Sequence, residues 1–587
     1  MTQKKIVIIG GLSAGPSAAA KARRTDPNCE IILFEKTGFI STATCGIPYA
    51  LASEQDRSDK LSVVDATLLK NRFNIDVHLH EAVIDIDPDK HSIITNNGHK
   101  YNYDKLIFAT GASAYTPPLE GLDQYTHWSH CKSISDLKKI YKEGVLSKAK
   151  HITILGSGLI GIEVAENLKK AGKEVTIVEL QEDILPIWDE KFSKMARAIL
   201  EEHGVDIKTN VKLEKVDAEK GTFYLSDGTS FKSGYLLIAV GLKPNTELLL
   251  AEGAEHLKNG ALIVNEKMQT SLPDIYAAGD CASIKNLLNN EYGYFPMGTH
   301  SNKGGRVAGA NAAGASLTFK GAYFTTIVKI FDHTLARTGY NANMLKAEQI
   351  NYSSVFFTTP ATPSFYDNPT DLFVEVYYEK ETHKILGAEI FGEKGVDKRI
   401  DVLSTAIYAG LKTSDLENLD LAYAPPFSPA KDAVITAGFI GERPEDDLIR
   451  NIDPNVLKKE LEEKDLEQVV FLDIRNRDEV LTTGMIPNAS NQPLEPLLKK
   501  LSLLDRNKEI IVYCQRGARG YVASLVLKAN GFTNITNLAG GFAAWKAMRY
   551  PIEMIIKPSQ NGNGHVEKPN LNGKINIEDI NEEIQNV

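Results

Sequence analysis

HITILGSGLIGIEVAENLKKAGKEVTIVEL, residues 151–180, reads as a strand, a glycine turn, a helix and a second strand. Gly156, Gly158 and Gly161 stand in G-x-G-x-x-G register, an apolar β-branched run precedes them, and the second strand ends in Glu179. Glycines so placed let backbone N–H groups approach a pyrophosphate at a helix N-terminus, where the helix dipole favours an anion. An acid closing the next strand accepts the 2′-hydroxyl of an NAD ribose and repels a 2′-phosphate. Leu180, Gln181 and Glu182 follow with no basic residue beside the acid, so NADH is expected in preference to NADPH.

The same order of elements occurs once before. KIVIIGGLSAG, residues 5–15, is a β-branched strand running into Gly10, Gly11 and Gly15, and PSAAAKARR continues as a helix. The glycine spacing departs from the strict motif, but EIILFEK ends its strand in Glu35, at the distance where an acid accepts ribose hydroxyls. Two further segments fit a flavin beside the nicotinamide. YDKLIFATGASAYTPP (103–118) brings a strand into a turn at Ala109, Thr110 and Gly111, and LPDIYAAGDCAS (272–283) sets Asp280 behind another strand, where a carboxylate and the following amides can hold ribityl and phosphate groups. The two Rossmann-like units are the expected internal duplication, with no solenoid repeat.

The bulk properties narrow the class. A chain of 587 residues exceeds what one core serves, so two to four domains are expected. A net charge of -10 with no dominant basic run argues against a nucleic-acid partner, and no run of eighteen apolar residues is present to span a membrane. The start, MTQKKIVIIGGLSAG, has a basic beginning and an apolar run, but the run is short and ends in Gly-Gly, as a buried strand entering a turn would. Five scattered cysteines (Cys29, Cys45, Cys131, Cys281, Cys514) make neither a disulfide framework nor a zinc motif, so no metal and a reducing cytoplasm are expected.

STATCGIPYALAS, residues 41–53, places Cys45 before a turn, with no second cysteine until Cys131. An intramolecular dithiol is therefore unavailable there. A lone thiol beside a flavin cycles through a mixed disulfide, a persulfide or a sulfenic acid, and the thiolate is its reactive form.

Over roughly residues 1–445 these segments resemble the two-dinucleotide-binding-domain flavoprotein disulfide reductases. Within them, the single cysteine resembles the coenzyme A-disulfide reductase and NADH-dependent persulfide reductase family, whose cysteine stretch is similar to S-F-x-N-C-G-L-P-Y. Ser41, Cys45, Gly46, Pro48 and Tyr49 match; Thr42 replaces the aromatic residue and Thr44 the asparagine. The resemblance implies FAD and NADH as cofactors, and coenzyme A as substrate or bound thiol forming a mixed disulfide with Cys45. Ser41 and Thr44 are then candidates beside the thiol. Lys21, Arg23 and Arg24 are candidates for the coenzyme A phosphates, or else a solvated helix face. It also implies an α+β dimerisation domain and a homodimer in which partner-subunit tyrosines approach the cysteine. PSFYDNP offers Tyr366 for that role, and LDLAYAPPFSPAKDAV offers Tyr423, with Phe427 where other members carry a tyrosine. A phenol there can protonate a leaving thiolate.

After GERPEDD (441–447) the pattern restarts. QVVFLDIRNRDEV is a strand ending in Asp473, EIIVYCQRGARGYVASLVLKANGF is strand, loop and helix, and NLAGGFAAWKAM closes with Gly540, Gly541 and Trp545. This resembles a single rhodanese domain, with CQRGAR as its active-site loop. Cys514 would carry a sulfane sulfur, and Arg516 and Arg519 would add positive charge. Four residues separate Cys514 from Arg519, one fewer than the C-x5-R loop of cysteine phosphatases. GMIPNAS departs from the family's G-H-I-P-G-A, with Met485 in place of a histidine.

The expected architecture is α/β: an FAD-binding domain in 1–115 and 245–322, an NAD(H)-binding domain in 116–244, a dimerisation domain in 323–445, a rhodanese domain in 452–557 and a flexible tail in 558–587. The expected function is NADH-dependent reduction of coenzyme A persulfide, polysulfide or coenzyme A disulfide through Cys45, with the rhodanese handling sulfane sulfur. Two rivals are an NADH oxidase or peroxidase working through a Cys45 sulfenate, and a sulfurtransferase whose flavin half is auxiliary.

Overall fold

The computed structural model describes residues 3–442, 449–499 and 501–555; the expected tail at 558–587 lies outside them. The chain divides into two compact units. One comprises Met1–Trp188 and Ile199–Phe331, the other Asp189–Ala198 with the described residues from Asp332 on.

The first unit holds two parallel five-stranded sheets of the same design. In the first sheet the strand order is Ile275–Ala277, Lys105–Phe108, Lys5–Ile9, Glu30–Glu35, Asp76–Leu79. In the second it is Trp128–His130, Tyr235–Ile238, His151–Leu155, Glu174–Val178, Val205–Lys208. The central strands are mostly apolar because both their faces are covered; Ile6, Val7, Ile8, Ile152 and Ile154 are fully buried. The duplication reaches further than the glycine motifs. Each sheet carries an antiparallel three-stranded meander, Val83–Asp87, Ser92–Thr95, Lys100–Asn102 in one and Leu213–Asp217, Thr222–Leu225, Ser230–Lys232 in the other, each with a register shift near its start. The connectors between the two halves, Ala112–Ala114 and Leu242–Pro244, run antiparallel as a two-stranded ribbon.

Helices Ala14–Thr25 and Gly298–Ala312 pack backbone against backbone in this unit. A Cβ at Gly305 would fall 2.3 Å from the Ala14 carbonyl oxygen, and one at Gly309 would fall 2.1 Å from that of Ala18. Glycine at both positions is thus a steric requirement.

In the second unit, His333–Gly339, Ile385–Gly392, Asp371–Glu379 and Tyr352–Pro360 form an antiparallel sheet in that order. The hairpin read in LFVEVYYEKETHKILGAEIFG is its centre, and helix Val396–Ala409 follows. The same unit contains a parallel sheet ordered Arg450–Ile452, Ile535–Leu538, Glu509–Tyr513, Val469–Asp473, Ser490–Asn491.

Candidate functional site

The two glycine turns fold alike for the same reason. Gly10 and Gly156 have φ of 110° and 101°, and a Cβ at Gly15 or Gly161 would lie 1.9 or 2.1 Å from the carbonyl oxygen of the turn glycine. Gly158 has nothing within 4 Å of where its Cβ would be, which leaves space above the helix Leu159–Lys170 for a phosphate to approach the backbone. In the first loop Leu12 stands in the register of Gly158 and is exposed.

The two strand-end acids are tied to these turns. Glu35 Oε2 accepts the Gly11 N–H at 2.8 Å, and Oε1 accepts the N–H and hydroxyl of Thr37. Glu179 Oε2 accepts the N–H and hydroxyl of Ser157 at 2.9 and 2.6 Å, and Oε1 accepts the Gln181 N–H. A carboxylate offers about four acceptor sites. The protein therefore occupies three on each acid, leaving room for one further donor at Glu35 where two ribose hydroxyls were expected.

Thr110 and Gly111 lie at the ribbon between the halves. The Thr110 hydroxyl donates to Asn245 O at 2.6 Å, and Asn245 N–H to Gly111 O. Gly111 has φ of 66° and open space at its Cβ position. Asp280 follows the strand Ile275–Ala277; its Oδ2 accepts from Lys132 Nζ at 2.9 Å, and Ser301 Oγ lies 3.3 Å from Oδ1. Its carboxylate is thus already partnered by a cation that the sequence reading did not connect with it.

Cys45 sits in a short 3-10 turn, Thr44–Gly46, just ahead of Ile47–Ala50. Ser41 N–H donates to Gly11 O at 2.7 Å, which seats the segment against the first glycine turn, and Ser41 O and Ala43 N–H bond to Val63 and Leu61. The Thr42 hydroxyl is buried beside this turn without a protein partner, an orphan donor that suits a bound group. Cys45 is exposed, whereas burial pushes the thiols of Cys29, Cys131 and Cys281 up, the last to about 11. Four residues on, the Tyr49 hydroxyl donates to Glu163 Oε1 at 2.9 Å; burial raises the Glu163 carboxyl, and burial with the Glu163 charge raises the phenol. The sequence reading missed this pair, although Glu163 stands two residues past Gly161 and Tyr49 four past Cys45.

Of the basic helix residues, Arg23 is committed elsewhere. Its guanidinium donates to the carbonyls of Phe73, Pro27, Cys29 and Asn74 at 2.7–2.8 Å, so it clamps loops. Arg24 lies over the Phe73 ring, and Lys21 is partly exposed on the same helix.

The remaining candidates belong to the second unit. Tyr366 and Tyr423 are exposed, the first in the turn joining Tyr352–Pro360 to Asp371–Glu379, the second in the segment before helix Ala433–Gly441; Phe427 is exposed too. Cys514 directly follows strand Glu509–Tyr513 and is buried, with its Sγ accepting the Gly517 N–H at 3.2 Å ahead of helix Ala518–Ala529. Phe542 and Ala543 donate N–H groups to the carbonyls of Cys514 and Gln515, and a Cβ at Gly541 would strike Cys514 O at 2.5 Å. Arg519 grips Glu479 through two hydrogen bonds, at 2.9 and 2.7 Å. Asp473 pairs with Arg475 in full burial, and the Arg475 guanidinium lies 3.8 Å from the Phe542 ring centroid. Met485 is buried and pairs its backbone with Glu553, in the scaffold below the loop.

Residues 4–314 match the family model of the pyridine nucleotide-disulphide oxidoreductases, 325–434 the dimerisation domain of the same enzymes, and 453–548 the rhodanese-like domain. The chain is 32% identical to the NAD(P)H coenzyme A polysulfide/persulfide reductase of Pyrococcus horikoshii, over 74% of this chain and 97% of that one. Its fold is similar to that of reduced Bacillus anthracis CoADR-RHD, with TM-score 0.87 and 31% identity over 93% of this chain and 98% of the other. It is also similar to an NAD-dependent persulfide reductase from A. fulgidus, with TM-score 0.86 and 33% identity over 92% and 100%. Among the described residues no helix is long and apolar enough to cross a membrane.

Proposed function

From a chain that belongs to the pyridine nucleotide-disulphide oxidoreductase family and carries a rhodanese-like domain, we propose NADH-dependent reduction of coenzyme A persulfide, polysulfide or coenzyme A disulfide through Cys45. The observation that carries this reading is the Cys45 turn: an exposed thiol, seated on the first glycine turn, with no second cysteine beside it. The relatives named above support the substrate class.

Bound FAD supplies the route by which the two electrons of NADH reach sulfur. The first glycine turn and Glu35 would hold that cofactor, with Thr110, Gly111 and Asp280 closing on it; the Gly156–Gly161 turn and Glu179 would hold NADH. The Cys45 thiolate attacks the inner sulfur of coenzyme A persulfide, a Cys45–coenzyme A disulfide forms, and hydrosulfide leaves. Two electrons and one proton then break that disulfide, returning the Cys45 thiolate and releasing coenzyme A as its thiol. Lys21 and Arg24 are the remaining basic candidates for coenzyme A phosphates, and Ser41 and Thr44 flank the thiol. Cys514 would take and hand on sulfane sulfur as a persulfide.

A homodimer fits the exposed aromatic residues of the second unit, Phe365, Tyr366, Tyr408, Tyr423 and Phe427. In such a dimer Tyr366 or Tyr423 would serve the leaving thiolate of the other subunit. Five free cysteines suit a reducing cytoplasm.

The test is anaerobic NADH oxidation with coenzyme A persulfide, following hydrosulfide. Equal amounts of NADH consumed and hydrosulfide released, both lost in Cys45→Ser, are expected. Turnover retained in Cys45→Ser would overturn the assignment.

A further inference from the structure

The rim of the Cys514 loop carries two cations, and a carboxylate meets each. Arg519 is held by Glu479 of the rhodanese-like domain itself. Arg516 is held from outside it: its Nε donates to Asp371 Oδ1 at 2.7 Å, and Asp371 opens the central strand Asp371–Glu379 of the antiparallel sheet.

This contact is built into the fold. Asp371 is fixed by its ladder pairing with Pro360. Two residues before Pro360, the Thr358 hydroxyl donates to Gly540 O at 2.9 Å. A Cβ at Gly540 would lie 2.8 Å from the Phe356 ring and 3.1 Å from Thr358 Oγ1, so the glycine turn sits directly on that sheet. The same turn leads into Phe542 and Ala543, whose N–H groups hold the backbone of Cys514 and Gln515. The loop and Asp371 therefore keep a common register.

We propose that Asp371 is a specificity residue for the Cys514 loop, neutralising Arg516 so that the loop disfavours small dianionic sulfur donors. The inference rests on reading Cys514 as the sulfane-sulfur carrier. A donor such as thiosulfate brings two negative charges to the loop and gains from a free guanidinium there. With Arg516 paired, that gain is withdrawn, and a thiol persulfide, with less charge to place, is favoured by comparison. In the half-reaction, the Cys514 thiolate attacks the outer sulfur of thiosulfate, the sulfur–sulfur bond breaks, sulfite leaves with its electron pair, and a Cys514 persulfide remains. Cyanide then takes the outer sulfur as thiocyanate and restores the thiolate.

The experiment is thiosulfate-to-cyanide transfer by the full-length protein, comparing wild type with Asp371→Asn and Asp371→Glu. Asp371→Asn should lower KM for thiosulfate by about two- to five-fold, the range expected from releasing a partly exposed ion pair, with kcat nearly unchanged. Asp371→Glu should restore the wild-type KM. An unchanged KM in Asp371→Asn, or a fall in kcat with KM unmoved, would overturn the proposal, the latter by making Asp371 a prop for the loop. Cys514→Ser, made with Asp371 intact, separates the underlying reading: transfer that survives there defeats the carrier role itself and the proposal with it.

Discussion

Glu179 has a double attachment, to its own glycine turn through Ser157 and to the chain beyond it through Gln181, and one acceptor site is left for a ribose. In the proposed NADH site its charge, rather than its shape, would discriminate against a 2′-phosphate. Glu179→Gln keeps an oxygen for Ser157 and loses the charge, so binding of both nicotinamide cofactors should weaken while the NADPH-to-NADH ratio of kcat/KM rises. A rise of about ten-fold is expected, the scale of one hydrogen bond to a charged group; parallel titrations with the two cofactors measure it. Residues of this kind were legible in the sequence because acid and turn belong to one local strand–turn–helix–strand unit. Tyr49 with Glu163, Lys132 with Asp280, and Asp371 with Arg516 were not, since each pair is joined across more than a hundred residues by the fold alone. Arg23 shows the converse: its charge suggested a phosphate ligand, and no sequence pattern reveals the four carbonyls that surround it.

Gly309, inside its helix, and Gly158, the N-cap of the proposed NADH cradle, should respond differently to the same substitution. Gly309→Ala drives a methyl group into the Ala18 carbonyl between helices Ala14–Thr25 and Gly298–Ala312. Overpacking of this sort costs roughly 1–3 kcal/mol, so a lower urea midpoint is expected. Gly158→Ala meets no protein atom within 4 Å, and its backbone φ of −68° suits alanine. Stability should be retained there while the Kd for NADH rises, read by cofactor titration beside the same urea melt. A loss of stability at Gly158 with NADH binding intact would contradict the cradle. The strands and glycine turns were readable from alternation and spacing; the meanders were not, because their short, mixed-polarity strands pair only with one another in separate three-stranded sheets.

At the scale of the whole molecule, the second unit encloses a charged cluster formed by distant segments. Lys191 reaches Glu375 at 2.5 Å and Asp453 at 2.7 Å, with Asp189 at 3.9 Å; Ser354 donates to Glu375; Arg337 faces Glu389 electrostatically; and Asp189 N–H donates to Glu389. Tyr377 lies 2.9 Å from Glu375 and 3.0 Å from Glu389. A phenol has one proton to give, so one carboxyl must itself donate to Tyr377. Burial pushes both carboxyls up, Glu375 to about 7 against the opposing pull of Lys191 and Glu389 to about 8, so Glu389 is the last to release its proton. An unfolded glutamate releases that proton near pH 4.3. Between about pH 4 and 8 the folded state thus holds protons on these carboxyls that the unfolded chain lacks, and raising the pH across this window destabilises the unit until the loss levels off above 8. Chemical denaturation from pH 5 to 9 should show this fall, and Glu389→Gln should make it shallower; an unchanged slope in the variant would refute the assignment. The ribbon of Ala112–Ala114 and Leu242–Pro244 has a different kind of consequence, in time. The first sheet waits for its edge strand Ile275–Ala277, which leaves the ribosome after the second sheet is complete. At about 5–20 residues per second, translation holds the first sheet open for roughly ten seconds or more. The nascent chain must therefore finish the later sheet before the earlier one, with Leu106 lacking its neighbour Ile275 throughout that interval.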